Sequence, residues 1–127
     1  MFGEITMNYF EFDEFKCKCG CGMNRPSKEL LDKTDKARGL AGIPFIINSA
    51  CRCPKRNINE GGSETSSHIT TDVKECEAVD IRCNNSTERF AIVFGMLSAG
   101  FNRIGVAGDF VHGDVDKSKA KQVMWVY

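Results

Sequence analysis

The sequence lacks several features that mark common classes of protein. Its 127 residues include 17 Lys or Arg and 17 Asp or Glu, so the formal net charge is zero. A general nucleic-acid-binding protein has a surplus of basic residues, so we expect no nucleic-acid partner. No apolar run approaches the roughly 20 residues that a membrane-spanning helix needs, and we expect no membrane insertion.

The amino-terminal segment has no features of a secretory signal. Its first 15 residues, MFGEITMNYFEFDEF, are acidic and mixed in polarity, with neither a basic start nor an apolar stretch. A signal peptide would have both. We therefore expect synthesis in a reducing compartment, where stable disulfides are uncommon.

The length of the chain favours one compact domain. A chain of 127 residues can bury one sizeable core and leaves little room for two. Hydrophobic residues make up 42% of the sequence, which argues against disorder. We expect a single domain over residues 1–127, with a Cys-rich amino-terminal arm at 1–25 and a core at 26–127.

Capping residues and apolar periodicity predict two helices. The first begins after Ser27 and ends near Gly39, because a serine hydroxyl caps free backbone N–H groups and glycine suits a helix exit. The second opens at Asn85 and ends at Gly100. Each helix has an apolar face. These faces contain Leu30, Leu31 and Thr34 in the first helix, and Phe90, Val93, Phe94 and Leu97 in the second.

Five short segments read as strands because they are rich in β-branched and aromatic residues. They cover residues 43–50, 78–83, 102–107, 109–115 and 122–127. The polar segment 51–74 reads as a long loop, and such loops in compact domains are usually functional or disordered. Short glycine-containing turns join the later strands, so we expect a small α+β domain with an antiparallel sheet.

The seven cysteines cannot all pair with one another, because their number is odd. Five of them lie in two C-x-C strings, with Cys17, Cys19 and Cys21 in the first and Cys51 and Cys53 in the second. Common structural zinc sites use C-x-x-C spacing instead. Three states remain open: free or packed thiols, a disulfide between the strings, or a second metal.

The chain has two histidines, and both lie near carboxylates. His68 ends the polar stretch SETSSH, Asp80 follows on a predicted strand, and His112 lies three residues after Asp109. A catalytic zinc site needs three such ligands and an open position for water. His68, Asp80 and His112 could supply them, with Asp109 close enough to handle the proton of the water. From spacing alone, structural histidines and ordinary turn aspartates remain open.

Four ordered blocks resemble the zinc D-alanyl-D-alanine carboxypeptidase and L-alanyl-D-glutamate endopeptidase family, which includes bacterial wall-trimming enzymes and small phage endolysins. The blocks INSACRCPKRN, SSH, AVDI and DFVHGDV lie within residues 27–116. The residues that match the family pattern are Ser49, Arg52, Asn57, Ser66, His68, Ala78, Asp80, Asp109, His112 and Asp114. The resemblance implies a hedgehog-like α+β fold, with the helices on one side of the antiparallel sheet.

The resemblance also implies a role for each candidate site residue. One zinc ion per chain would be held by His68, Asp80 and His112. Asp109 would act as the general base that takes a proton from the attacking water and passes it to the leaving amine. Arg52 would face the substrate carbonyl or carboxylate; a surface salt bridge is the alternative.

Two further residues have less specific roles. Ser66 would orient its loop or bind substrate, and ordinary turn capping is the alternative. Asp114 would brace His112, and the alternative is a solvated carboxylate at a strand end.

The interval between His68 and Asp80 departs from the family pattern. It spans twelve positions instead of seven and lacks the usual glycine. The additional residues, within segment 69–79, can loop out at little entropic cost. They introduce three rival ligands, which are Asp72, Glu75 and Cys76. Asp80 is preferred because A-x-D lies on a predicted strand.

The resemblance implies a zinc metallopeptidase that hydrolyses amide bonds in peptidoglycan stem peptides, as a D,D-carboxypeptidase or an L-alanyl-D-glutamate endopeptidase. A phage endolysin of this kind would be a monomer made in the host cytoplasm that reaches the cell wall through a separate pore. Two alternatives remain. One is a non-catalytic, zinc-stabilised cell-wall-binding domain on the same scaffold, and the other is a Cys-rich metal or redox protein.

Overall fold

Three helices and one five-stranded sheet make up the fold in the computed structural model, which describes residues 6–127. The helices are α1 (Lys28–Ala41), α2 (Pro54–Asn59) and α3 (Ser86–Ala99). The strands are β1 (Ile47–Ser49), β2 (Ala78–Arg82), β3 (Arg103–Val106), β4 (Phe110–Asp114) and β5 (Val123–Val126). Within this described range, no helix has the length and apolarity needed to cross a bilayer.

The amino-terminal arm packs against the rest of the domain. It contains a short 3-10 helix, Phe12–Phe15, and buries Phe10 and Phe15 against each other. The first five residues of the predicted arm 1–25 lie outside the described residues. The predicted loop 51–74 contains α2, so the prediction of a loop is wrong for residues 54–59.

The sheet is mixed, so the expectation of an antiparallel sheet is wrong. The strand order is β1-β2-β4-β3-β5, and β5 runs parallel to β3 while all other pairs are antiparallel. Both edges of β4 are already paired, with β2 and β3. The chain therefore cannot form a hairpin after β4, and it crosses to the free edge of β3.

The pairing register aligns one row of residues across all five strands. Ser49 pairs with Asp80, Asp80 with His112, His112 with Gly105, and Gly105 with Trp125. Paired residues of neighbouring strands project from the same face of a sheet. This polar row therefore defines one face of the sheet.

The hydrophobic core lies on the opposite face, where the sheet packs against α1 and α3. Val111 from β4 and Met96 from α3 are fully buried there. The predicted apolar face of the first helix is confirmed, because Leu30, Leu31 and Thr34 are all fully buried in α1.

The predicted helix boundaries are largely confirmed. The Ser27 hydroxyl caps α1 and the Asn85 side chain caps α3. Gly100 ends α3 with a φ of 102°. The end of α1 differs: Gly39 lies inside the helix, and Gly42 ends it with a φ of 72°. Glycine adopts this left-handed conformation without the steric cost that other residues pay.

The apolar face predicted for the second helix is wrong for three of its four residues; Val93 is partly buried and packs against the core. Phe90, Phe94 and Leu97 of α3 are exposed. The buried residues of α3 are Ile92, Gly95, Met96 and Ala99. The close approach of α1 explains the difference, since a Cβ atom on Gly95 would lie 2.5 Å from the carbonyl oxygen of Ala37. The small residues of α3 must face α1, and the phenylalanines therefore point outward.

We expect Gly95→Ala to destabilise the fold, although alanine favours helix interiors over glycine by about 1 kcal/mol. The added methyl group would overlap the Ala37 carbonyl, and overpacking typically costs about 1–3 kcal/mol. Chemical denaturation should therefore give a lower free energy of unfolding for Gly95→Ala than for the wild type.

Gly39→Ala is the matched control for this prediction. Its nearest neighbour is the half-exposed ring of Tyr9, at 3.1 Å, which can move aside. We expect this variant to be as stable as the wild type or slightly more stable. An equal loss of stability in the Gly39 and Gly95 variants would contradict the close contact between α1 and α3.

Candidate metal centre

An open cavity of about 360 Å³ lies over the polar row of the sheet. Its lining includes two histidines and two aspartates from the row and its surroundings, together with cationic and aromatic side chains. These residues are Arg52, His68, Asp80, Arg103, His112, Asp114, Lys119, Trp125 and Tyr127.

His68, Asp80 and His112, here called the histidine group, lie together in this cavity and are all buried. The Asp80 Oδ1 atom is 3.2 Å from His68 Nε2 and 2.9 Å from His112 Nδ1. One possible ligand atom from each residue lies within 4.8 Å of the other two. Two imidazole nitrogens and one carboxylate oxygen form a typical ligand set for zinc.

Each imidazole also has a partner for its second nitrogen. His68 Nδ1 lies 2.7 Å from the carbonyl oxygen of Ala50, and His112 Nε2 lies 2.7 Å from Asp114 Oδ2. When the outer nitrogens alone carry the protons, each ring would present the lone pair of its inner nitrogen to an ion held beside Asp80. Such outer partners fix the tautomer and orientation of metal-binding histidines. The residues present therefore fit a zinc ion.

Burial and contact within the histidine group shift the pKa values of its members. Burial lowers the pKa of His68, which favours the neutral ring that a metal requires. Burial alone would raise the pKa of Asp80, but interactions with His68 and then His112 outweigh it and lower the pKa. For His112, burial opposes the charged form, yet hydrogen bonds with Asp114 and Asp80 raise the pKa.

The peptidase M15 family matches residues 5–114, most of the length of the chain. The chain belongs to the peptidase M15 family. Members of this family are zinc-dependent metallopeptidases, and the histidine group lies within the matched region. No curated protein matches the chain significantly.

Arg52 of this M15 chain is held in place from three sides. Its Nε atom donates to Ser49 Oγ at 2.9 Å, Nη1 donates to Asn57 Oδ1 at 3.4 Å, and Nη2 lies 3.4 Å from Asp80 Oδ2. Its backbone N–H donates to the carbonyl oxygen of His68 at 2.8 Å. The structure thus brings the predicted Ser49, Arg52 and Asn57 together beside the histidine group.

Ser66 and Asp114 both support the histidines. The Ser66 hydroxyl accepts a hydrogen bond from the backbone N–H of His68 at 3.2 Å and also lines the cavity. Asp114 is only 1% exposed, and its Oδ1 atom accepts a hydrogen bond from Arg103 Nε at 2.7 Å. Asp114 is therefore a buried brace for His112 and not a solvated carboxylate.

Asp109 is the predicted site residue that the structure does not bring to the cavity. It is exposed at the turn before β4 and does not belong to the cavity lining, whereas Phe110, His112 and Asp114 do. Because β4 begins only at Phe110, strand geometry does not hold the Asp109 side chain on the polar face of the sheet. The general-base role of Asp109 stays a prediction that this geometry does not support.

The rival ligands in segment 69–79 lie outside the histidine group. Asp72 and Glu75 are exposed, and the buried Cys76 thiol donates to the carbonyl oxygen of Ala78 at 3.3 Å. The segment forms a tight turn in which the backbone N–H groups of Thr71 and Lys74 each bond the other residue's carbonyl. The additional residues thus loop out as expected.

The aromatic wall of the cavity was not predicted, since the last segment, 122–127, was predicted only to be a strand. The Trp125 ring lies 5.4 Å from the His112 ring and beside the Arg103 guanidinium. A Cβ atom on Gly105 would lie 2.5 Å from Trp125 Nε1, so glycine provides the space for the indole. Strict alternation in VMWVY would have predicted that Trp125 and Tyr127 share a face.

We expect Asp114→Ala to weaken zinc binding by roughly 10–100-fold, the usual effect of removing a carboxylate that orients a histidine ligand. Competition with a chromogenic zinc chelator measures this affinity. Asp109→Ala is the control and should bind zinc like the wild type. Unchanged affinity in Asp114→Ala would contradict the bracing role, as would equal losses in both variants.

The carboxylate of Asp116, which bonds the cavity residue Ser67, predicts a pH dependence of stability. Asp116 accepts hydrogen bonds from the Ser67 hydroxyl at 2.7 Å and from the Ser118 hydroxyl at 2.6 Å. Burial alone would raise the pKa of Asp116, but these bonds outweigh it and lower the pKa to about 2. A carboxylate with a lowered pKa stabilises the fold above its unfolded pKa of about 3.9.

We therefore expect part of the free energy of unfolding to be lost as the pH falls from about 4 toward 2. Asp116→Asn removes this titration, so the difference in stability between wild type and variant should shrink over the same interval. Urea denaturation at stepped pH values measures the difference. A constant difference across that range would show that Asp116 has an ordinary pKa.

Proposed function

We propose that this chain is a zinc-dependent metallopeptidase that hydrolyses amide bonds in peptidoglycan stem peptides. One observation carries the proposal: the histidine group opens into a cavity in a chain of the M15 family. The reaction is that of a D,D-carboxypeptidase or of an L-alanyl-D-glutamate endopeptidase, since both hydrolyse an amide bond within a short stem peptide.

The number and type of ligands suit a catalytic zinc site. Three protein ligands, here His68, Asp80 and His112, are typical of catalytic sites, whereas structural sites have four. Zinc in this position would polarise the scissile carbonyl group and make hydroxide available near neutral pH. The outer partners Ala50 and Asp114 keep both imidazoles in the orientation that this requires.

The cations of the cavity suit a substrate with carboxylate groups. Arg52 is fixed by Ser49 and Asn57, so its guanidinium is preorganised to bind a substrate carbonyl or carboxylate. Lys119 also lines the cavity, and its ammonium group bonds the Thr65 carbonyl and the Ser67 hydroxyl. Stem peptides carry free carboxylates that these cations could bind.

Peptide hydrolysis also needs a group that moves a proton from water to the leaving amine. Asp114 is already occupied, because its two oxygens accept hydrogen bonds from Arg103 and His112. Glu60 lines the cavity and Asp109 does not. Glu60 is also paired, since its Oε1 atom lies 2.5 Å from Arg56 Nη2, but this ion pair is partly exposed. Asp109, implied by the sequence resemblance, and Glu60, favoured by its place in the cavity lining, are the two candidates for the general base.

The exposed position of Asp109 gives some support to a second function. A non-catalytic, zinc-stabilised cell-wall-binding domain needs no carboxylate beyond the metal ligand Asp80 to act as a general base. Such a protein would bind insoluble peptidoglycan and leave its stem peptides intact.

We further propose a biological setting on the basis of the four sequence blocks. They resemble a family that includes phage endolysins. In this setting the protein is a monomer made in the host cytoplasm that reaches the wall through a separate pore, with neither nucleic acid nor a membrane as its partner.

Purified peptidoglycan and a defined stem peptide provide the decisive assay. We expect the zinc-loaded wild type to release either free D-alanine or new D-glutamate amino termini, which chromatography distinguishes. His112→Ala should lose this activity together with the zinc of the histidine group. A zinc-loaded wild type that releases neither product but sediments with peptidoglycan would establish the binding domain instead.

The same assay distinguishes the two candidates for the general base. Of Asp109→Asn and Glu60→Gln, we expect one to reduce kcat by about 10²–10⁴-fold, the usual contribution of general acid–base catalysis, while it retains zinc. The other variant serves as its control. If both variants hydrolyse peptidoglycan at the wild-type rate, neither carboxylate moves the proton.

A further inference from the structure

A group of four cysteines lies outside the histidine group. Cys17, Cys19 and Cys21 come from the amino-terminal arm, and Cys53 comes from the segment between β1 and α2. Their four sulfur atoms all lie within 4.8 Å of one another. Cys19 and Cys53 are 34 positions apart in the sequence, so the fold brings them together and local spacing does not.

The distances between the sulfur atoms fit a metal site better than a disulfide. The Sγ atom of Cys19 lies 3.5 Å from that of Cys17 and 3.6 Å from that of Cys53. Zn–S bonds of about 2.3 Å place the sulfurs of a tetrahedral site roughly 3.8 Å apart. A disulfide needs one pair at about 2.05 Å, and all seven cysteines are free thiols in the structure.

Backbone N–H groups point at three of the four sulfur atoms. The Cys53 N–H donates to Cys17 Sγ at 3.4 Å, the Arg56 N–H donates to Cys53 Sγ at 3.4 Å, and the Met23 N–H donates to Cys21 Sγ at 3.5 Å. Hydrogen bonds to a charged form stabilise that form. The thiolate is the form of cysteine that binds zinc.

The turn around the arm cysteines depends on glycine. Gly20 and Gly22 have φ values of 86° and 82°, in the left-handed region that glycine adopts at little cost. They follow Cys19 and Cys21 directly. The chain can therefore reverse direction between the two cysteines, so that both sulfur atoms reach the group.

We propose that Cys17, Cys19, Cys21 and Cys53 bind a structural zinc ion, separate from the zinc at the histidine group. Four thiolates complete a tetrahedral shell and leave no position for substrate or water, so the role of this ion is structural. The proposal rests on the geometry of the four sulfur atoms and their backbone surroundings, and it does not depend on the proposed peptidase activity.

Zinc at the four cysteines would fasten the arm to the segment that carries Arg52. Cys53 follows Arg52 directly, and Arg52 bonds the backbone of His68. A backbone hydrogen bond of 3.0 Å from Cys51 to the carbonyl oxygen of Phe15 also joins the arm to this segment. The ion would therefore limit the movement of Arg52 relative to the histidine group.

Zinc content measured by plasma mass spectrometry, on protein purified with a reductant, tests the proposal. We expect about two zinc ions per chain in the wild type, one at the four cysteines and one at the histidine group. His112→Ala should retain the zinc of the cysteines. The double variant C19S/C21S should retain only that of the histidine group, and it should fold because both side chains are exposed. Cys83→Ser, outside the group of four, is the control with unchanged content.

Cobalt substitution provides an independent readout of thiolate ligation. A thiolate-to-cobalt charge-transfer band should appear in the wild type and in His112→Ala, and it should be absent from C19S/C21S. A wild type without this band, or a zinc content that C19S/C21S leaves unchanged, would overturn the proposal. Because His112→Ala tests the histidine group separately, a failure here is distinguishable from a failure of the peptidase assignment.

Discussion

The register between β2 and β4 is the constraint on which the site depends. It places Asp80 directly opposite His112 on one face of the sheet. The neighbours of these two residues along the strands, Val79, Ile81 and Val111, are fully buried in the core on the other face. A slip of one residue would exchange the two faces, burying the metal ligands among aliphatic side chains. The packing of the core against α1 and α3 therefore also fixes the geometry of the histidine group.

The same register requires the sheet to hold several charges away from water, which is tolerable only when each has partners. Asp80 contacts both imidazoles and Arg52, while Asp114 contacts His112 and Arg103. Over residues 6–127, no buried side-chain nitrogen or oxygen lacks a hydrogen-bond partner. Such a complete network holds the ligands in one arrangement, and removal of one member leaves its neighbour's charge buried without compensation.

The sequence predicts features that depend on local chemistry. It does not predict features that depend on which helices pack together and which strands pair. The caps Ser27 and Gly100 follow from backbone requirements alone, and the three metal-ligand candidates follow from short motifs, two on strands and one, with His68, in a loop. Which face of α3 is buried depends on the fit of Gly95 against α1, and the spacing of apolar residues does not indicate this fit. The position of Asp109 depends on where β4 begins. The position of Trp125 depends on the parallel pairing of β5 with β3, which no local sequence signal indicates.

The indole that lies over Gly105 gives the molecule an internal optical reporter. Trp125 is the one tryptophan in the sequence, and its ring is in contact range of His112 and Arg103. Its emission therefore arises entirely from the wall of the cavity. Any event that changes the charge or position of His112 alters the surroundings of this single fluorophore, so occupancy of the site can be followed in solution without a label.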